Sequence, residues 1–214
     1  MDAVLLSGFV TVKRDDEVTD LCTGTGIIPL LLSAKTGGKQ FTGIEIRKKA
    51  ADMARRSVAL NSLEKRIRIV AGDIRERSNL PGRESQNTVT CNPPYMAVRK
   101  GPENPDGEQA LSRHEISCTL SDAVKAGSYL LKNGGRFAIV YRPNRLTELI
   151  SVLRENNLEP KRLRFVHPFA DREANMILLE AVKGGRVFLR TEAPVIVFEA
   201  PGKYTREITE IYGY

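Results

Sequence analysis

Short apolar runs alternate with amphipathic stretches along most of this chain, and that alternation predicts a series of β-α-β units around a mostly parallel sheet. Glu17–Leu21 reads as a first strand that stops at a Gly/Thr turn, and Ile27–Ala34 as the helix after it. Phe41–Glu45 is the second strand. Arg47–Asn61 has the helical period, with Ala50, Ala54 and Val58 on one face and Lys48, Lys49, Asp52, Arg55 and Arg56 elsewhere. Ile67–Val70 is a third strand and Thr88–Cys91 a fourth, cut off by Asn92-Pro93-Pro94. Leu120–Leu131 returns to helix, with Lys132-Asn133-Gly134-Gly135 as stop and turn. Arg136–Tyr141 is the fifth strand and Asn144–Asn156 another helix. Lys161–His167 and Asn175–Ala181 add two strands, and Lys183-Gly184-Gly185 separates them from a last β segment, Val187–Phe198, and a short tail. Seven strands, with helices between the first five, predict a doubly wound α/β sheet.

The 214 residues suit one domain and bury a core without needing disulfides or metal. No apolar run reaches the ~18 residues of a membrane-spanning helix, and MDAVLLSGFV carries no basic leader. The expectation is therefore a cytoplasmic protein off the membrane. Cys22, Cys91 and Cys118 are odd in number and widely spaced, matching neither a disulfide framework nor a zinc site, so no metal is expected. Lys and Arg number 33 against 26 Asp and Glu, a net charge of +7 that favours a polyanionic partner. Met96–Arg113 is rich in Gly, Pro and charge, the composition of a lid, a binding loop or a disordered segment.

Ligands of parallel α/β sheets collect at the carboxyl ends of strands, and four such ends carry chemistry here. In DLCTGTG, Asp20 to Gly26, glycines between strand and helix bring backbone close to a ligand. The pattern is neither G-x-G-x-x-G nor a Walker loop. Glu45 closes strand two, 19 residues after Gly26, where a carboxylate accepts both hydroxyls of a ribose. Asp73, at the third end, either accepts from an adenine amino group or caps a helix starting at Ile74.

The fourth end, Asn92-Pro93-Pro94-Tyr95, is the most specific. Two prolines cannot donate to a ladder, so the strand must stop, and Pro93 restricts how Asn92 presents its amide. Methylation of a planar nitrogen requires such a site, because the lone pair is delocalised and the nitrogen is a poor nucleophile. The Asn92 side-chain oxygen and the Pro93 carbonyl can hold its two hydrogens and steer the lone pair towards an incoming methyl group. Tyr95 can stack on a planar target.

The chain resembles the class I S-adenosylmethionine-dependent methyltransferases and, more narrowly, the bacterial valine-tRNA adenine-N6 methyltransferases. The resemblance covers nearly the whole length, through Asp2–Leu6, DLCTGTGIIPLLL, GIEI, GDI, NPPY, Ser112–Glu115, GGRFAIVYRP, LEPKRLRFVHP and EANMILLEAVKGG. It implies a Rossmann-like seven-stranded sheet with an antiparallel last strand, in one domain with a core of about 15–183 and a C-terminal β extension of 184–214. It further implies S-adenosylmethionine as cofactor, held by Asp20, Cys22, Thr23, Gly24, Gly26, Glu45, Ile46, Asp73, Ile74 and Asn92, and an adenine amine of tRNA held at Asn92 to Tyr95. The implied assembly is a monomer or weak homodimer. The family usually has Gly where this chain has Cys22, and it carries a segment ahead of the position of Asp2.

Arg99, Lys100, Arg142 and Arg145 are candidate phosphate contacts, and His114 a candidate for the substrate wall. His167 reads as structural, and Cys91 as an unactivated thiol. NPPY also occurs in release-factor glutamine methyltransferases and DNA adenine methyltransferases, and guanine-N2 methylation of ribosomal RNA stays open. Outside the class stands a non-enzymatic RNA-binding protein with the same fold. The match through LRFVHP and EANMILLEAVKGG favours the tRNA enzymes over the glutamine ones.

Overall fold

The computed structural model describes residues 1–94 and 118–213. The elements run α1 (Asp2–Phe9), β1 (Glu17–Leu21), α2 (Ile27–Lys35), β2 (Gln40–Glu45), α3 (Lys48–Leu60), β3 (Ile67–Ala71), β4 (Gln86–Cys91), α4 (Leu120–Leu130) and β5 (Leu131–Tyr141). They continue through α5 (Leu146–Glu155), β6 (Leu158–His167), β7 (Met176–Lys183), β8 (Arg190–Thr191), β9 (Val195–Ile196), β10 (Phe198–Ala200), β11 (Lys203–Tyr204) and α6 (Arg206–Tyr212). One sheet has the order β3-β2-β1-β4-β5-β7-β6-β8, with β9 also on β6, and β10 and β11 form a separate ribbon. Strands β1 to β5 are parallel, and β7 runs antiparallel to both β5 and β6. The chain crosses from β3 at one edge to β4 on the far side of β1, so β1 and β4 flank the topological switch point where such sheets bind ligands.

Alternation along the strands splits the core between the two faces. Ala138 and Val140 join α1, α2, α3 and α6 through Leu6, Leu32, Ala54 and Ile208, while Phe137 and Ile139 join α4 and α5 through Val124 and Leu149. Helix α3 buries Ala51, Ala54 and Val58, so the buried stripe takes in Ala51 where the periodicity suggested Ala50. Helix α4 starts with a capping box in which Thr119 and Asp122 satisfy each other's backbone donors.

Four segments differ from the sequence expectation. Lys132–Gly135 is part of β5, not a turn, because Leu131 is fully buried and paired with Gln86; Gly134, at φ 77°, absorbs the extra residues as the register shifts between Gln86 and Thr88. Val187–Phe198 is not one strand. Val187–Leu189 is exposed, Pro194 interrupts the pairing, and only two-residue strands lie on β6. Helices α1 and α6 stand where no helix was expected, and α1, apolar on most of its surface, lacks the stripe that marks an amphipathic helix.

Candidate active site

The site grows from the switch point. Across it Asp20 pairs with Thr90 and Leu21 with Cys91, so the DLCTGTG turn and Asn92-Pro93-Pro94 leave adjacent strand ends. Positive φ angles at Cys22 (57°), Gly24 (59°) and Gly26 (80°) coil the turn into α2. Gly26 combines a left-handed φ with close packing: a Cβ there would stand 3.0 Å from the Ala54 Cβ. Cys22 pays a left-handed strain of about 1–2 kcal/mol that a glycine would avoid. The turn is tied to β2 where the Thr23 amide donates to the Ile44 carbonyl (3.0 Å).

Asp20 is 1% exposed. Its Oδ1 accepts from the Thr90 hydroxyl (2.7 Å), while Oδ2 and the Thr23 hydroxyl are buried with no well-formed hydrogen bond among the described residues. Burial pushes the carboxyl up to about 7; the nearby hydroxyls of Thr23 and Thr90 oppose the rise and the Glu45 carboxylate adds to it. A buried acid and a buried hydroxyl with spare hydrogen-bonding capacity therefore face the same turn.

Glu45 lies at the end of β2 with a buried side chain. Its Oε2 accepts from the Gly24 amide (2.8 Å), and its Oε1 from the Arg47 amide (3.0 Å) and Nε (2.8 Å). Beside it Ile46 is half-buried. Asp73 follows β3, where no α-helix starts at Ile74. The chain makes a turn, Ile74 joins the core, and Arg77–Asn79 forms a single 3-10 turn, so the helix-cap alternative is corrected. Both Asp73 oxygens accept from the Arg75 guanidinium, at 2.6 and 2.8 Å on Oδ2 and 3.0 Å on Oδ1, and Arg75 holds the Asp73 carboxyl below its ordinary range.

At the β4 end Asn92 is half-buried, Pro93 buried and Pro94 exposed. Cys91 pairs with Ile139, which brings Arg142 and Arg145 past the end of the neighbouring strand. Arg142 donates to the Asn175 carbonyl (3.1 Å), and Arg145 forms a forked ion pair with Glu148 (2.6 Å) over the Tyr141 ring. Tyr95, Arg99, Lys100 and His114 lie outside the described residues. His167 ends β6 and its Nδ1 faces the Arg172 carbonyl at 2.7 Å.

The three cysteines, distant in sequence, converge beside this site, which spacing alone did not reveal. Proximity to Cys118 draws the Cys22 thiol down, while proximity to Cys91 and burial drive it up, and the net direction is upward. The Cys91 and Cys118 thiols are also raised, so the cluster stays protonated and offers no thiolate nucleophile. Among the described residues no group of His, Cys, Asp and Glu is arranged to hold a metal ion, and no helix is long and apolar enough to cross a membrane.

Comparison with known proteins agrees with this architecture. The family model for the methyltransferase small domain matches residues 2–156. A tRNA1(Val) (adenine(37)-N6)-methyltransferase of Porphyromonas gingivalis is 30% identical over 196 residues, 90% of this chain and 76% of that protein. A relative of the same name from Aeromonas salmonicida is 28% identical, covering 95% of this chain and 84% of that protein. Among solved structures, a predicted O-methyltransferase of Agrobacterium tumefaciens superimposes with a TM-score of 0.80 at 23% identity, over 99% of this chain and 95% of that one. Geranyl diphosphate C-methyltransferase of Streptomyces coelicolor, solved with S-adenosyl-L-homocysteine, gives 0.64 at 15% identity, over 85% and 79%. With the sheet order, the switch-point turn and these matches in agreement, the chain belongs to the methyltransferase small-domain family and is a class I S-adenosylmethionine-dependent methyltransferase.

Proposed function

We propose that this protein methylates the exocyclic N6 amine of an adenine in tRNA. The observation that carries the reading is the juxtaposition of Asn92-Pro93-Pro94 with the Asp20–Gly26 turn across the β1–β4 switch point. Similarity over most of the chain to relatives named as tRNA adenine-N6 methyltransferases supports the choice of acceptor, and a net charge of +7 suits a polyanion.

The residues present fit the cofactor. Asp20 Oδ2 and the Thr23 hydroxyl, buried with spare capacity, suit a ligand ammonium and carboxylate. Gly24 leaves its turn open, the one heavy atom near a Cβ there being Arg47 Nη2 at 4.0 Å. Glu45 and Asp73 present acceptors for ribose and adenine. S-adenosylmethionine, when bound, supplies an electrophilic methyl group. The Asn92 side-chain oxygen and the Pro93 carbonyl accept the two hydrogens of the target amine and orient its lone pair, so no ionised base is required before transfer. The methyl–sulfur bond would break as the new N–C bond forms, S-adenosylhomocysteine would be the leaving group, and the amine proton would then pass to solvent water.

The test is methyl transfer from labelled S-adenosylmethionine to tRNA, ribosomal RNA, DNA and protein from a strain lacking this gene, followed by separation of nucleosides and amino acids. N6-methyladenosine in the tRNA fraction is the expected product; methylglutamine in protein would replace the acceptor while keeping the role of Asn92. Asn92→Ala is expected to lower turnover by at least about 100-fold and to change S-adenosylhomocysteine affinity little.

A further inference from the structure

The two carboxylates read above as the ribose and adenine acceptors carry the same arrangement, an arginine two residues further on. We propose that Arg47 and Arg75 are displaceable counter-ions that close the nucleoside part of the cofactor site, so that cofactor binding requires both guanidinium groups to swing away. The inference rests on the assignment of Glu45 and Asp73 to that site.

Counting lone pairs carries the argument. A carboxylate oxygen accepts about two hydrogen bonds. Both places on Glu45 Oε1 are taken, by the Arg47 amide at 3.0 Å and by its Nε at 2.8 Å. One place on Oε2 is taken by the Gly24 amide at 2.8 Å. One acceptor place remains, and a ribose diol brings two hydroxyls. The two backbone donors are fixed by the turn and by the start of α3, whereas the Arg47 side chain is 60% exposed and free to rotate into solvent. The place that must open is therefore the one held by Nε. The same guanidinium lies over the glycine turn, its Nη2 4.0 Å from where a Gly24 Cβ would stand.

Asp73 is more fully occupied. Its Oδ1 accepts from the Arg75 amide (2.9 Å) and Nε (3.0 Å), and its Oδ2 from Nε (2.8 Å) and Nη2 (2.6 Å). An adenine amino group finds an acceptor there only when the Arg75 fork lets go, and that side chain is 41% exposed. Each guanidinium is partly solvated and is rehydrated as it swings out, while the ligand's hydrogens take over its place on the carboxylate, so the closure is reversible. Ion pairs with a solvent-exposed partner of this kind shift an equilibrium by up to about fivefold.

Calorimetric titration of the full chain with S-adenosylhomocysteine tests the proposal. Arg47→Met and Arg75→Met, which keep the length of the stem, are each expected to bind about two- to fivefold more tightly than wild type, and the double variant more tightly still. In wild-type protein the side-chain Nε protons of both arginines are expected to exchange faster with the analogue bound than without it. Equal or weaker binding by the arginine variants, or unchanged Nε exchange, overturns the proposal. Glu45→Gln and Asp73→Asn separate the two levels. A loss of at least about tenfold in these variants, with no gain in the arginine variants, removes the counter-ion role alone. Unchanged binding in them removes the site assignment and the proposal together.

Discussion

Asp20 holds its proton far above the range of an ordinary carboxyl, and the sign of the linkage follows. Its pKa rises from 3.8 to about 7 on folding because burial disfavours the charged form. Between those values the folded protein binds the extra proton, so this group's contribution to stability falls as pH rises from about 4 to about 7, by at most about 1.4 kcal/mol per pH unit. A ligand ammonium at Oδ2 reverses the preference. S-adenosylhomocysteine binding at pH 6 is therefore expected to release close to one proton, seen as a dependence of the calorimetric enthalpy on the ionisation enthalpy of the buffer, and Asp20→Asn is expected to abolish that release. The placement of Asp20, Glu45 and Asp73 at or just past strand ends was legible in the sequence, because the apolar runs stop at Leu21, Glu45 and Val70. The arginine partners of Glu45 and Asp73 were not, since an i,i+2 contact depends on the backbone path after a strand. Nor was the convergence of Cys22, Cys91 and Cys118, which β1, β4 and the start of α4 bring together only in the fold.

At the level of elements, the first four strands and the helices α2 and α3 followed from apolar periodicity, with ends displaced by a residue or two. The largest departure is β5, where a glycine pair that reads as a helix stop and turn instead lets a strand run on through a register shift. Gly134 has φ 77° and nothing within 4 Å of its would-be Cβ, so its role is conformational and not steric. Gly134→Ala is accordingly expected to cost about 1–2 kcal/mol in urea unfolding without altering cofactor-analogue affinity. Gly135→Ala, at a negative φ but with a Cβ 2.9 Å from the Lys132 carbonyl, is expected to cost stability by contact instead. The C-terminal pieces escaped the sequence reading for the opposite reason: Val187–Leu189 is apolar enough for a strand and pairs with no strand among the described residues.

Over the whole molecule, one clamp joins parts of the chain that no periodic signal relates. Glu180 on β7, 3% exposed, accepts from the Thr11 amide (3.2 Å) between α1 and β1 and pairs with Arg162 of β6 (3.4 Å). Arg162 also donates to the Thr11 hydroxyl (3.0 Å) and to Glu192 after β8 (2.7 Å), with its guanidinium 4.4 Å from the centre of the Phe9 ring. Arg162 keeps Glu192 when Glu180 is removed, so the main loss is the acceptor of the Thr11 amide; Glu180→Ala is expected to destabilise the protein by about 1–3 kcal/mol, with a lowered Tm, and Glu180→Gln by less because the Thr11 amide keeps its acceptor. The same edge of the sheet carries a separate consequence. Strand β6 is bordered by two dipeptide strands with Pro194 between them, and that proline offers no N–H for a further strand to read. This edge of the sheet is thus terminated by the chain's own short strands, a safeguard against edgewise pairing with another copy at β6.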